Sequence, residues 1–179
     1  MRFILTLLFT LLPTLALAND WDALSEPGAV AIMRHALAPG GGDPANFDIA
    51  DCTTQRNLDD RGRDQARAIG AALRDRGFTF DRVLTSQWCR CRDTATLLDV
   101  GPVTEAPALN SFFQDRSTSD AQTADAQGII SATEGTLMMV THQVNITALT
   151  GVFPSSGEII VIRATDTGVE VLGKIEIGP

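Results

Sequence analysis

The sequence is poor in several of the side chains that carry chemistry. Among its 179 residues there are two histidines, three cysteines and, at Lys174, a single lysine. Structural zinc takes about four well-spaced ligands, so three cysteines with no histidine close to them make a poor metal site. Basic charge is scarce as well. The formal net charge of -8 disfavours nucleic acid or an anionic membrane as partner, because both are held through an excess of Lys and Arg. Beyond residue 18 no apolar stretch reaches the ~20 residues that a membrane-spanning helix needs.

The amino terminus is the exception. Met1-Arg2 supplies a positive end, Phe3 to Leu17 is almost unbrokenly apolar, and Ala16-Leu17-Ala18 forms a small-x-small site. This pattern predicts a signal peptide over residues 1–18 and one domain over 19–179. An uncleaved anchor is the competing reading, which the short apolar region and Pro13 disfavour. Cleavage would remove Arg2 and no acid, moving the charge from -8 to -9. No cysteine follows the cleavage site to carry a lipid, so the expected product is exported, periplasmic or secreted, with no membrane span. With 44% hydrophobic residues it has material for a real core.

Exported chains meet an oxidising compartment, which puts a disulfide ahead of a metal for Cys52, Cys89 and Cys91. A bridge within Cys89-Arg90-Cys91 would be strained. Cys52 is therefore expected to pair with Cys89 or with Cys91, and the sequence leaves that choice open.

Apolar periodicity divides the rest into alternating elements. Ala29 to Arg34 reads as a buried strand, followed by a long Gly- and Pro-bearing loop from Ala38 to about Thr54. Loops of this length in compact domains are usually functional. Asp59 or Asp60 can cap a helix over about Gly62 to Arg76, with Ala66, Ile69, Gly70 and Leu73 on one stripe and Gly77 as its stop. Arg82 to Thr85 is a second strand. Ser86 is a candidate N-cap for a helix from Trp88 to Leu98, with Ala95, Leu97 and Leu98 inward. After a variable stretch from Val103 to Ser119, a helix is expected near Ala121 to Ile130, then a strand over Thr136 to Thr141 and a short helix over Val144 to Thr150. The end alternates as a hairpin, Glu158 to Arg163 and Gly168 to Ile177, around Asp166-Thr167-Gly168.

Alternating strands and helices predict an α/β fold with a mainly parallel sheet covered on both faces, which binds ligands at the carboxyl ends of its strands. Both histidines lie at such ends. His35 follows the run A-V-A-I-M-R and His142 follows L-M-M-V-T. Arg34 shares the first junction, and Arg90 falls in the first turn of the helix after the second strand. From Arg56 to Arg92 there are nine arginines against five acids, a local excess of +4 in an acidic chain. Most of these belong to solvated helix faces; Arg56 either reaches the ligand from the long loop or pairs with a surface acid.

Two guanidinium forks and two imidazoles converging on one crevice suit a phosphoryl group. A helix start adds backbone N–H groups. An imidazole among such donors can attack phosphorus, splitting hydrolysis into transfer to nitrogen and then to water.

Four separated stretches resemble the histidine phosphatase superfamily, in its phosphoglycerate mutase-like branch. Met33-Arg34-His35 is similar to the Arg-His-Gly signature, and N-L-D-D-R-G-R-D-Q-A (57–66) to the segment that opens the family's first helix. T-S-Q-W-C-R-C-R-D-T-A (85–95) resembles Ser-Pro-x-x-Arg-Ala-x-x-Thr-Ala, and V-T-H-Q (140–143) resembles Val-Thr-His-Gly. Together they run from Val30 to about Gly151. The resemblance implies a three-layer α/β/α sandwich and a catalytic set of His35 (nucleophile), Arg34, Arg90 and His142, the last three also binding phosphate, with no metal or organic cofactor.

Departures from the family pattern are Ala36, Gln87 and Gln143, and above all Ser111. Related phosphatases often carry a glutamate there as general acid, and serine cannot protonate an alkoxide near neutral pH. Asp115 is the nearest substitute, although it can equally pair with Arg116 or cap a helix; Glu105 and Asp48 are weaker candidates. Without an acid, substrates with good leaving groups would be favoured. The expected activity is that of an exported phosphomonoesterase acting on a small phosphorylated substrate. The alternative is a member that binds a phospho-ligand without turnover. A thiol-redox role for Cys89-Arg90-Cys91 is poorly supported because the spacing is not Cys-x-x-Cys. Trp88 and Phe112-Phe113 read as core or pocket wall, and the acceptor triplet Asn145-Ile146-Thr147 as part of a helix.

Overall fold

In β1 (Val30–Arg34) every second side chain faces the same side of the strand, and both sides are apolar. Such a strand needs cover on both faces. A computed structural model of the chain describes residues 19–178 and shows how the cover is supplied. The signal peptide expected over 1–18 lies outside the described residues. After β1 come α1 (Asp60–Arg74), β2 (Arg82–Thr85), α2 (Cys89–Leu98), β3 (Val103–Glu105), α3 (Ser119–Ser131), β4 (Leu137–Thr141), α4 (Gln143–Thr150), β5 (Ile159–Thr165) and β6 (Gly168–Ile175).

The strands form one six-stranded sheet in the order β3-β2-β4-β1-β5-β6. Neighbours among β3, β2, β4 and β1 run parallel, while β5 and β6 are added antiparallel. One face carries Ala31, Met33, Met138 and Val140 against Ile69, Leu73, Ala95 and Leu98 of α1 and α2. The other carries Val30, Ile32, Leu137 and Met139 against Ala126, Ile130, Ile146 and Leu149 of α3 and α4. The fold is thus an α/β/α sandwich with a mostly parallel sheet. Burying each leucine or isoleucine of these layers stabilises it by about 1.5–3 kcal/mol.

Local signals explain the element ends. The Asp59 carboxylate accepts a 2.8 Å bond from Gly62 N and caps α1, and Gly77, at φ +80, allows the chain to turn away after it. Two expectations need correction. Ser86 does not cap α2; Trp88 holds the N-cap position with no side-chain bond. Ser86 Oγ instead accepts from Trp88 N at 3.3 Å and meets His142 at 2.9 Å. The variable stretch also contains β3, whose three residues are all exposed. An exposed edge strand that short leaves no alternation to read.

Cys52 is bridged to Cys89, 37 residues apart in sequence, and Cys91 is free and buried. The bridge ties the long loop after β1 to the first residue of α2. No helix among the described residues is long and apolar enough to cross a membrane.

Two predictions arise. At Gly70, α1 lies against the backbone of Leu98, whose carbonyl oxygen occupies the space a Cβ would take. Gly70→Ala should therefore destabilise by about 1–3 kcal/mol, although alanine is the better helix former; an unchanged urea midpoint would contradict this packing. Removing the bridge with Cys52→Ser should cost about 3–4 kcal/mol through the loop-closure entropy of the unfolded chain. Mass analysis after alkylation without reduction should find one thiol, at Cys91, that reacts only on unfolding.

Candidate active site

The register of the sheet places the two histidines. Arg34 of β1 pairs with Thr141 of the parallel neighbour β4, so His35 and His142 leave adjacent strand ends together. Their ring centroids are 5.5 Å apart. Arg90 enters from the first turn of α2 and is 3% exposed. Its Nε donates to His35 Nε2 at 3.2 Å and its Nη2 lies 3.4 Å from His142 Nδ1. Guanidinium only donates, so both imidazole nitrogens present lone pairs to it.

That contact settles the tautomers. His35 Nδ1 lies 2.7 Å from the carbonyl oxygen of Ala36 and carries the ring proton, which leaves Nε2 as the basic nitrogen. In His142 the proton sits on Nε2 and is donated to Ser86 Oγ, whose own hydrogen goes to Asn110 Oδ1 at 3.2 Å. Burial, foremost, and the positive charge of Arg90 hold both imidazoles well below the ordinary histidine value. Each is neutral at neutral pH, as a nitrogen nucleophile must be.

Side chains of α1 and α2 brace this arrangement. Thr94 Oγ1 accepts from Ala36 N at 3.0 Å and donates to Arg90 O at 2.7 Å, coupling the residue after His35 to the arginine. Gln65 of α1 accepts from Leu37 N at 2.9 Å and donates to Ser156 O at 2.8 Å. The loop holding Ser156 also provides Pro154 O, bonded by Arg34 Nη1 at 2.9 Å. Among the described residues the buried Arg34 Nε has no partner, which leaves a donor for a ligand. Burial, and then Arg90, lower the Arg34 pKa from its ordinary value.

These side chains line a cavity of about 160 Å³ together with Arg56, Trp88 and residues of the loops at 40–43 and 111–114. Its volume is below the ~300 Å³ of pockets that enclose a drug-sized ligand. It can seat a phosphoryl group and the first atoms attached to it. Phe113, 55% exposed, and Trp88 form apolar wall, whereas Phe112 belongs to the buried interior. Arg56 does reach the site; its Nε donates to Gly42 O at 3.0 Å and its Nη1 to Ala38 O.

The structure therefore gathers Arg34, His35, Arg90 and His142, and it leaves Asp115 out. Asp115 is exposed, and its carboxylate accepts 2.9 Å from Ser117 N as the cap of a short 3-10 turn. The bonds from Ser117 hold it below the usual carboxylate range, the opposite of what a general acid requires. Glu105 pairs with Arg92 at 3.5 Å and Asp48 caps Ala50 N, both away from the cavity. The carboxylate that does line the cavity is Asp43, which the sequence reading passed over. It accepts from Arg90 Nη1 at 2.7 Å and Nη2 at 3.2 Å, from Trp88 Nε1 at 3.0 Å and from Arg56 N at 3.1 Å. The Gly40-Gly41-Gly42 run before it is the one local hint, since glycines allow backbone close to a ligand.

Residues 30–113 match the model of the histidine phosphatase superfamily (branch 1). Over 80 residues it is 37% identical to the serine/threonine-protein phosphatase Pgam5, mitochondrial, of Drosophila grimshawi, a match covering 45% of this chain and 27% of the relative. The match thus spans well under half of the relative's length. The fold is shared with the protein histidine phosphatase SixA complexed with tungstate (17% identity, TM-score 0.58, 83% of this chain and 96% of that one). It is shared equally with the alpha-ribazole phosphatase from Shigella flexneri (19%, TM-score 0.58, 84% and 98%).

Neutral buried histidines set a pH dependence of stability. Below about pH 6.5 the unfolded chain takes up protons on these imidazoles that the native state refuses, so stability falls as pH falls. Each histidine contributes up to about 1.4 kcal/mol per pH unit in that window. Urea midpoints should drop between about pH 7 and about pH 5.5, with a shallower slope in His142→Gln. A flat wild-type profile would contradict neutral burial.

Proposed function

We propose that the protein is an exported phosphomonoesterase that hydrolyses a small phosphorylated substrate through a phosphohistidine on His35. The observation that carries this reading is the geometry of His35, whose Nδ1 lies 2.7 Å from Ala36 O while its Nε2 faces the donor Nε of Arg90 beside His142. A phosphoryl group entering the cavity takes over the Arg90 hydrogens. Its oxygens are then neutralised by Arg34, Arg56 and Arg90, and His35 Nε2 is released to attack phosphorus while the bond to the leaving oxygen breaks. The Nδ1–H bond to Ala36 O stabilises the positive charge that develops on the ring. Water then attacks phosphorus, breaks the P–N bond and restores neutral His35.

The cavity volume of about 160 Å³ supports recognition of the phosphoryl end of the substrate, with the remainder against the Phe113 and Trp88 wall. The phosphatase names of the similar proteins agree with this chemistry. Export is supported by the apolar leader pattern and by a cystine, which persists in oxidising compartments. A second reading, phospho-ligand binding without turnover, draws on Ser111 standing in the cavity where an acid would be expected.

Residues 19–179 should release phosphate from an aryl phosphate, and His35→Ala should lower kcat/KM at least about 10³-fold. Cys91→Ser should leave it within a few-fold, because burial pushes that thiol up to about 12 and makes it inert. Rapid quenching should trap an acid-labile phosphoprotein in the wild type only. Phosphate binding with no turnover of any ester would establish the binding reading instead.

A further inference from the structure

We propose that Asp43 is the proton donor of this site, reaching the leaving oxygen from the loop after β1 in place of the residue that Ser111 lacks. This rests on the phosphatase reading above. The geometry supports it in three ways. First, Asp43 is the carboxylate that lines the cavity, with its side chain 6% exposed, while Asp115, Glu105 and Asp48 all lie outside. Second, Asp43 and Ser111 line the same cavity from different loops, and Gln114 Nε2 approaches Asp43 O at 3.4 Å, joining the two loops at the rim. Third, the carboxylate grips the Nη1 and Nη2 end of Arg90, whereas His35 meets Nε. Acid and nucleophile therefore stand at different edges of the guanidinium that would hold the phosphoryl group.

The groups facing the Asp43 carboxyl are the Arg90 guanidinium, the Trp88 indole N–H and the backbone N–H of Arg56, with the Arg56 side chain close behind. Burial by itself would raise its pKa, but the bonds and charge of Arg90, with Arg56 N and Trp88 helping, outweigh that and keep it ionised. A phosphoryl ligand reverses the balance. Its oxygens compete for the Arg90 fork and bring negative charge beside the carboxylate, and both effects favour the protonated form. Phosphate monoesters have a second pKa near 6, so a monoanionic substrate can supply the proton. In the first step that proton moves from Asp43 to the leaving oxygen as the P–O bond breaks and His35 Nε2 bonds to phosphorus. In the second, the Asp43 carboxylate accepts a proton from the attacking water as the P–N bond breaks, which restores Asp43–COOH and neutral His35.

The test is a series of aryl and alkyl phosphates with leaving groups from 2,4-dinitrophenol to a simple alcohol. In the wild type kcat/KM should depend only weakly on leaving-group pKa. Asp43→Asn should lose about 10²-fold or more on phenyl and alkyl phosphates and far less on dinitrophenyl phosphate, because an already stable anion needs no proton. Asp43→Asn/Ser111→Glu should recover part of the loss on the poor leaving groups. An equal loss across the series, with the melting temperature kept, would overturn the role. So would a steep leaving-group dependence in the wild type itself, a measurement that needs no variant. If no ester is turned over, or if turnover survives His35→Ala, the phosphatase reading itself has failed.

Discussion

The site is organised around one guanidinium. Arg90 contacts His35 through Nε, His142 through Nη2 and the Asp43 carboxylate through both terminal nitrogens, and its side chain is almost wholly buried. A charge so deep in the protein is tolerated only with partners that satisfy most of its donors. Asp43 supplies the opposite charge and the imidazoles accept the remaining hydrogens. The same positive charge, added to burial, keeps those imidazoles neutral. The protonation and tautomers of the imidazoles and the electrostatic field around them thus share a common origin.

Placing Arg90 is the work of the fold. It stands in the first turn of α2, which is separated from the end of β2 by three residues, and the bridge from Cys52 to Cys89 anchors the preceding residue to the long loop. That loop returns Asp43 and Arg56 to the cavity, with Cys89 N also bonded to Gln55 Oε1 at 2.9 Å. Thr94, one turn further along α2, links Arg90 O to the backbone following His35. A shift of α2 would move the arginine, its carboxylate partner and the support of His35 together, so the site behaves as a mechanical unit with the helix.

The alternation of apolar runs was enough to read most elements of the sandwich. The strands that become β1, β2 and β4 are buried on both faces and dominated by apolar residues, while α1 shows a clean stripe ended by Asp59 and Gly77. Arg34, His35, Arg90 and His142 were legible because strand ends in a parallel sheet gather at one edge whatever the loops do. β3 escaped notice because its three residues are exposed, and the capping role expected of Ser86 failed because its hydroxyl serves His142. Asp115 attracted attention by closeness in sequence to Ser111, yet local capping consumes its carboxylate.

By itself the amino-acid sequence determined the layering, the strand-end positions of the histidines and the excess of arginine near them, since these depend on periodicity and on residues adjacent along the chain. Tertiary structure alone decided which carboxylate enters the cavity and which of two cysteines takes Cys52. Those choices turn on how a long loop folds back across the sheet edge, where contacts between residues some 40 positions apart, such as the 47-residue span from Asp43 to Arg90, leave no local pattern to read.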